Sequence, residues 1–305
     1  MYRRCSGAQK SPPDPFPAIH CAPCGSRSPL SLASSCLNPR QRRPTGPEGT
    51  VTDRQRADRR DLPLECRPLE VSGVLAGPWY ELKTIIARHP SIALPLERAR
   101  GHGEVTSDDT DVVIESFPRC ASSFAVEAFR LAQEPRVMRI ANHTHMPALV
   151  IDGVSRGIPT LVLIRRADDA VISHLIRNPD LPPRAAVRGY LRFYDPLLPH
   201  RHGFTVATFE EITTDFGAVI RRLNAEAGTE FVEFRHTPDN VARIDQKIEV
   251  DYRALASSED QLERMIPLPS GGRDRLKDKV GRRVERDVPP SMLARADEVF
   301  RALVG

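Results

Sequence analysis

A short stretch that runs from a strand pattern into a helix pattern carries the residues best suited to bind an anion. In SFPRCASSF, residues 116–124, a proline and an arginine precede small and hydroxyl side chains. A helix that begins there leaves its first backbone N–H groups without partners inside the helix, and these groups favour an anion such as phosphate. Arg119 adds a permanent charge, and Ser122 and Ser123 add hydroxyl donors. The alternative is an ordinary serine N-cap beside a solvated arginine.

A second stretch repeats the same combination of residue types. RRADDAVIS, residues 165–173, places Arg165 at the end of a predicted strand and Ser173 eight residues later, in a predicted helix. Both side chains are expected to face one crevice, where they would bind a second anionic group. The alternative is exposed ion pairing of Arg165 with Asp168 or Asp169, which contributes little to stability.

Two histidines, His143 and His145, follow a third predicted strand in NHTHMP, residues 142–147. The imidazole group titrates near neutral pH, so either side chain can accept a proton from a hydroxyl group. The sequence leaves open which of the two faces the ligand. A histidine pair is also a partial metal site, but no third ligand follows nearby. For each histidine alone, a structural role is the alternative.

The order of predicted elements indicates how these residues are brought together. The β-branched run from Val112 to Ile114 is typical of a buried strand. A helix over 79–89, with Leu82, Ile85 and Ile86 on its packing face, is predicted before it. Strands and helices then alternate, which predicts a three-layer α/β fold with a central parallel β-sheet flanked by helices and a ligand beyond the carboxyl ends of the strands. The strands are predicted over 111–117, 137–142, 159–165 and 203–208, and the later helices over 121–133, 146–156, 168–177, 183–195 and 214–227.

Composition divides the chain of 305 residues into two parts. Residues 1–60 are rich in Pro, Ser, Arg and Gly and have no periodic apolar pattern, which predicts a disordered N-terminal extension. The globular composition that follows predicts a single domain over 62–305, with its motifs in 110–230. A native start at Val51 would remove most of the extension, and N-terminal sequencing of the native protein tests this alternative.

Charge and hydropathy exclude several classes of protein. The chain has 44 basic and 40 acidic residues, a formal charge of +4 and no polycationic tract, so nucleic acid is not an expected partner. It has no apolar run of about 18 residues, so no membrane span is expected, and without a secretory signal pattern the expected location is cytoplasmic. Cys21 and Cys24 form one CxxC pair, but no second pair completes a zinc site, so no metal is expected.

Taken together, the motifs resemble the sulfotransferase family, which uses 3′-phosphoadenosine 5′-phosphosulfate (PAPS) as its donor. SFPRCASSF aligns without a gap with the family's 5′-phosphosulfate loop. RRADDAVIS keeps the residues of the 3′-phosphate motif at Arg165, Asp169 and Ser173. HTHMP matches the Thr, His and Pro of the segment that carries the family's catalytic histidine, and VATFEEI matches a segment near the adenine. These segments follow one another in the family's order and spacing.

The resemblance implies a P-loop NTPase-like sulfotransferase fold and an in-line transfer of the sulfuryl group from PAPS to a hydroxyl group. It implies that His145 is the general base, with His143 as the reserve candidate, and that Arg119 stabilises the leaving 5′-phosphate. The implied nucleotide-binding residues are Arg119, Cys120, Ala121, Ser122, Ser123, Phe124, Arg165, Ser173, Phe209 and Arg273, with Lys277 as the alternative to Arg273.

The chain departs from the family pattern in two places. In the loop, Arg119 stands where many members have lysine, Cys120 replaces a hydroxyl or small residue, and Ala121 replaces a glycine. A Cβ atom at position 121 hinders close approach of the backbone to the ligand if this position requires a positive φ. Downstream, the family's RxGxxGxWK-like element is not recognisable, and PSGGRDRLKDK, residues 269–279, is its expected replacement.

The expected partner is a small-molecule or carbohydrate hydroxyl acceptor, and a homodimer is left open. The segment 178–202 mixes aromatic and cationic residues, but Tyr190, Phe193 and Tyr194 lie at helical spacing, which favours the core over a substrate site. Two other functions are considered. One is a non-catalytic nucleotide-binding module of the same fold, which Ala121 motivates. The other is a kinase-like phosphotransferase, which the absence of a Gly-Lys-Ser/Thr sequence disfavours.

Overall fold

The computed structural model describes residues 75–101, 104–268 and 271–305, without the side chains of 271–274. The predicted extension over 1–60 lies outside the described residues. In the described part, no helix is long and apolar enough to span a membrane. The helices are α1 (Ala76–Ile86), α2 (Pro90–Arg100), α3 (Ser122–Gln133), α4 (Pro147–Ser155), α5 (Ala167–Arg177), α6 (Pro183–Tyr194), α7 (Phe209–Thr214), α8 (Phe216–Ala227), α9 (Pro238–Leu255), α10 (Glu259–Met265), α11 (Gly271–Asp287) and α12 (Pro290–Val304), with a 3₁₀ segment over Asp195–Gly203.

The predicted α/β architecture with a central parallel sheet is confirmed. The sheet consists of β1 (Val112–Ser116), β2 (Ile140–Asn142), β3 (Thr160–Ile164) and β4 (Thr205–Thr208), in the spatial order β2-β1-β3-β4. All neighbouring strands are parallel. After β1 the chain forms β2 on one side and then crosses to form β3 on the other. The strand order therefore reverses between β1 and β3, and a crevice opens beyond their carboxyl ends.

Helices cover both faces of the sheet because the central strands are apolar on both. Val112 and Ile114 are fully buried in the larger core cluster, together with Phe129 of α3. Val113, between them, is fully buried in a second cluster on the other face. Gly153 of α4 lies there, and a Cβ atom at this position would come within 2.7 Å of a methyl group of Val113. The missing side chain thus lets α4 pack closely against β1.

The predicted boundaries are wrong in several places. The second strand begins at Ile140 rather than at 137, because the side chain of Val137 is almost fully exposed and has no core to pack against. The helix predicted over 214–227 is α8, which begins at Phe216 rather than at 214 because the side chain of Asp215 accepts a hydrogen bond from Ala218 N and caps it. Helices α2, α7 and α9 were not predicted. Pro90 and Pro238 begin α2 and α9 as first-turn prolines.

Candidate functional site

A cavity of about 1100 Å³ lies at the carboxyl ends of β1 and β3, and many motif residues line it. This volume is sufficient for a nucleotide together with a small second molecule. The described lining carries only two carboxylates, Asp180 and Asp245. Lysine and arginine side chains outnumber these carboxylates in the lining, so the cavity favours an anionic ligand. The cationic side chains in the lining are Lys83, Arg119, Arg165, Arg177, Arg264 and Lys277.

The loop that joins β1 to α3 has a left-handed backbone at two residues. Arg119 has a φ of 73° and Ala121 a φ of 67°, so the predicted conflict at position 121 is real. An alanine in this conformation costs about 1 kcal/mol or more relative to glycine. The chain tolerates this strain, and α3 begins directly after it at Ser122. Ala121, Ser122, Ser123 and Phe124 line the cavity at the positively polarised end of α3.

Cys120 is the loop residue whose side chain lies away from the cavity. The thiol is fully buried, and its Sγ lies 3.5 Å from the hydroxyl oxygen of Tyr194. Burial raises the pKa of the Cys120 thiol to about 11. A thiol of this kind packs as a small apolar group, so only the backbone of Cys120 is available for the predicted role in ligand binding.

Arg119 connects the loop with two distant parts of the chain. Its Nε donates to Ser173 Oγ at 3.1 Å, and its two terminal nitrogens donate to the carbonyl oxygens of Met265 and Ile266 at 2.9 and 3.1 Å. Ser173 lies in α5, and the carbonyl groups lie at the end of α10. The arginine of the first motif and the serine of the second, 54 residues apart, are therefore in direct contact.

Arg165, at the end of β3, is mostly buried and lines the same cavity. Its guanidinium carbon lies 4.0 Å from the centroid of the Phe209 ring, in a cation–π contact. The predicted surface alternative is also present, because Arg165 Nη2 lies 3.7 Å from Asp169 Oδ2. Its Nε, however, is buried and has no hydrogen-bond partner among the described residues. A buried donor of this kind is rare in native proteins and suggests a ligand acceptor.

The two histidines have different positions. Both have a left-handed backbone, and their ring centroids are 6.2 Å apart. Of the two, only His145 is part of the cavity lining. His145 Nδ1 lies 2.9 Å from the carbonyl oxygen of Ser116, which can only accept a hydrogen bond. Nδ1 therefore carries the proton in the neutral ring, and Nε2 has the lone pair.

A buried carboxylate, that of Glu115, holds the histidine turn. Its Oε2 accepts hydrogen bonds from Thr144 N, Thr144 Oγ1 and His145 N at 2.9, 2.7 and 3.1 Å. Its Oε1 accepts from Ser116 N at 2.8 Å and lies 3.7 Å from His145 Nδ1. The side chain is fully buried at the end of β1. Sequence reasoning missed Glu115, because a lone carboxylate inside a strand gives no signal.

A third histidine, His174, also lines the cavity and was not predicted. It is 6% exposed and packs against Phe117 and Tyr80, with ring centroids 5.3 and 5.7 Å away. Burial in this aromatic cluster lowers the pKa of His174 to about 3, and the charge of Arg177 acts in the same direction. The imidazole is therefore neutral at pH 7. His174 gives no sequence signal, because one histidine inside a helix matches no spacing rule.

The buried His174 predicts an acid-sensitive fold. Below about pH 6.5, its unfolded-state pKa, the unfolded chain binds a proton that the folded chain excludes, so its stabilising contribution falls as pH drops towards 3. We expect a loss of up to about 1.4 kcal/mol of unfolding free energy per pH unit from this residue alone. Urea unfolding between about pH 5 and 7 measures it. His174→Leu should have a correspondingly smaller pH slope, and equal slopes would contradict the prediction.

The predicted packing face of the first helix, α1, is wrong. Leu82 and Ile85 are 49% and 44% exposed. The cavity is lined instead by a different stripe of α1, which Ala87 continues beyond the end of the helix. The residues of this stripe are three or four positions apart, as on one face of a helix. The residues of the stripe are Ala76, Trp79, Tyr80, Lys83, Thr84 and Ala87.

The carboxylate of Glu81 fixes α1 to α6. Arg188 Nε donates to it at 2.6 Å, and Arg192 forms a second ion pair with it. Burial alone would raise the pKa of Glu81, but the hydrogen bonds and charges of the two arginines hold it below its usual value. Arg188 thus supports the helix rather than a ligand.

The aromatic residues of α6 are divided between core and cavity. Tyr190 and Tyr194 are fully buried, and their hydroxyl groups donate to the carbonyl oxygens of Arg165 and Leu163 at 2.8 and 2.7 Å. The structural interpretation is therefore correct for both tyrosines. Phe193 is also buried, but it lines the cavity.

The C-terminal candidates lie in α11. Arg273 is part of this helix, but its side chain is not among those described, so its role stays a prediction. Lys277, one turn further on, lines the cavity. Among the described residues, no group of three or more His, Cys, Asp or Glu side chains is placed to hold a metal ion.

No protein-family model matches the chain, and no curated protein matches it in sequence. Among solved structures, the chain is similar to a mouse sulfotransferase complexed with 3′-phosphoadenosine 5′-phosphate (PAP). The TM-score is 0.36 and the sequence identity 13%, over 60% of this chain and 90% of that chain. A similarity this low assigns no family, so the function has to be inferred from the cavity's own residues.

Proposed function

We propose that the chain is a sulfotransferase that transfers the sulfuryl group from PAPS to the hydroxyl group of a small acceptor. The observation that carries this proposal is the hydrogen bond from Arg119 to Ser173. It joins the loop that resembles a phosphosulfate site to the helix that resembles a 3′-phosphate site. Both motifs line one cationic cavity at the reversal of strand order, where α/β proteins bind ligands.

The anionic groups of the donor have several complementary partners. The N-terminus of α3 and the guanidinium of Arg119 would bind the 5′-phosphosulfate. Arg165 and Ser173 would bind the 3′-phosphate, and the unpartnered Nε of Arg165 would gain an acceptor there. Phe209, which already contacts the guanidinium of Arg165, would border the adenine end of the site.

In the proposed reaction, the acceptor oxygen attacks the sulfur atom in line with the bridging oxygen of the donor. A bond forms between acceptor oxygen and sulfur while the bond between sulfur and the bridging oxygen breaks, and PAP leaves. His145 Nε2 takes the proton of the acceptor hydroxyl, since Nδ1 is bound to the carbonyl group of Ser116. Arg119 stabilises the charge that grows on the leaving phosphate.

Calorimetric titration with PAP tests the nucleotide site. We expect micromolar binding of PAP by the full chain and much weaker binding of AMP, which lacks the 3′-phosphate. Arg165→Ala should remove most of the difference between the two ligands, because it deletes the buried guanidinium in the cavity.

Arg166→Ala is the matched control for Arg165→Ala. Arg166 is half exposed, pairs with Asp168 and Asp297 and is not part of the cavity lining. This variant should bind PAP like the wild type. Unchanged PAP binding by Arg165→Ala, or equal affinity of the wild type for PAP and AMP, would contradict the proposed nucleotide site.

A further inference from the structure

Helix α1 presents a chemically distinct surface to the cavity. Its inner stripe contains the aromatic side chains of Trp79 and Tyr80 and one charged group, Lys83. Phe117 and Phe193, from other elements, add further aromatic surface to the same cavity. This combination differs from the nucleotide motifs, where arginines, hydroxyl groups and helix N–H groups predominate. It suits a flat apolar ring better than a phosphate group.

Lys83 is partly buried, and its ammonium group makes no hydrogen bond or ion pair with any described residue. Burial lowers the pKa of its ammonium group, the carboxylate of Glu97 opposes this effect, and Arg100 adds to it. The side chain is therefore a partly dehydrated cation without a direct counter-ion. An anionic ligand group next to it would provide that counter-ion in a site of low polarity.

The position of Lys83 is fixed by the rest of the fold. The ion pairs of Glu81 with Arg188 and Arg192 attach α1 to α6, and the hydroxyl oxygen of Thr84 accepts a hydrogen bond from Arg192 at 3.0 Å. A rigid helix keeps its inner stripe in place and favours recognition of one type of ligand.

We propose that the acceptor is an aromatic hydroxyl compound that carries a carboxylate, and that Lys83 binds this carboxylate while aromatic side chains of the stripe contact the ring. The inference rests on the proposed function, since it names the acceptor of that reaction. A single cation on α1 matches a single negative charge, which favours a carboxylate over a doubly charged phosphate. The hydroxyl group of the same compound is then presented to His145, in the same cavity.

Matched pairs of ligands test this inference on the full chain saturated with PAP. The probes are para-hydroxybenzoate, para-hydroxyphenylacetate and para-hydroxyphenylpropionate, each paired with its primary amide, which has nearly the same shape but no charge. At least one acid should bind wild-type protein about tenfold or more tightly than its amide, as expected for a charge-assisted contact. In Lys83→Met that ratio should fall to about one.

Lys279→Met is the matched control, because Lys279 is exposed on α11 and is not part of the cavity lining. This variant should keep the wild-type ratio, and all three proteins should bind PAP equally. An unchanged acid-to-amide ratio in Lys83→Met would overturn the inference, as would failure of wild-type protein to bind any of the acids.

The same samples separate this inference from the proposed function. Titration with PAP and transfer of labelled sulfate from PAPS report on the proposed function. The acid-to-amide ratio is a binding measurement and can be made without transfer, and also without PAP. Transfer to the amides alone would therefore support the sulfotransferase and reject the carboxylate. If the acid-to-amide ratio depended on Lys83 but no sulfate were transferred, the carboxylate site would be supported and the sulfotransferase activity rejected.

Discussion

Arg119→Ala is expected to lower turnover by about a hundredfold or more, since one well-placed group that stabilises transition-state charge has an effect of this size. In the structure, Arg119 reaches from the loop between β1 and α3 to Ser173. In the proposed complex, removal of the guanidinium would leave the departing phosphate with the hydroxyl and N–H donors of α3. Steady-state rates of sulfate transfer measure the effect, with binding of PAP followed in parallel.

Arg119→Lys is the informative companion variant. It keeps the positive charge that many sulfotransferases have at this position, so a substantial part of the turnover should return. Both variants lose hydrogen bonds to the carbonyl oxygens of Met265 and Ile266, so both should unfold at a lower temperature. If Arg119→Ala turned over at a near-wild-type rate with an intact fold, the assigned role of Arg119 would be wrong.

The second large effect is expected for Glu115→Gln. The carboxylate accepts hydrogen bonds at both oxygens, from the backbone and the side chain of the turn that carries His145. A glutamine of the same shape replaces one acceptor with an NH₂ donor, which then meets N–H donors. We expect a loss of about 1–3 kcal/mol in stability, and a decrease of about a hundredfold in kcat if the base moves by an ångström.

Affinity for PAP should change little in Glu115→Gln, because Glu115 lies outside the cavity lining. Thr144→Val removes a single hydrogen bond to the carboxylate and should show a smaller decrease. A double-mutant cycle with His145→Ala identifies the mechanism. If Glu115 acts by positioning His145, its replacement has almost no further effect on rate once the imidazole is gone. A full additional loss in that background would assign Glu115 to the general stability of the fold.

Local patterns predicted the part of the site that depends on short stretches of sequence. The β-branched run at Val112–Ile114 and the apolar run that ends at Ile164 both form buried strands. A parallel sheet brings their carboxyl ends together, so the sequence alone predicts a crevice with Arg119 and Arg165. The glycine of the resembled family at position 121 raised the question whether this position has a positive φ, and in the structure Ala121 has one.

Features that depend on contacts distant in sequence could not be predicted. Helix α1 has an apolar stripe at Leu82 and Ile85, and apolar spacing normally identifies the buried face. Here that stripe is largely exposed, and the stripe with Trp79 and Lys83 lines the cavity. Glu115 is similar, because its partners in the histidine turn follow it by almost 30 residues. Tertiary packing determines which face of a helix is buried and which distant residues a side chain contacts, and it overrides local periodicity.

The left-handed residues around the site have a consequence for how this protein would respond to selection. Among the described residues, the non-glycine positions with positive φ are Arg119, Ala121, His143 and His145, all at the ends of β1 and β2. At about 1 kcal/mol or more each, they use up a sizeable part of the roughly 5–15 kcal/mol that keeps a typical domain folded. Laboratory evolution for heat resistance alone would therefore accumulate glycine or asparagine at these positions first. Loss of Arg119 or His145 in this way would remove a side chain that the proposed transfer needs, whereas glycine at position 121 would relieve strain without removing one.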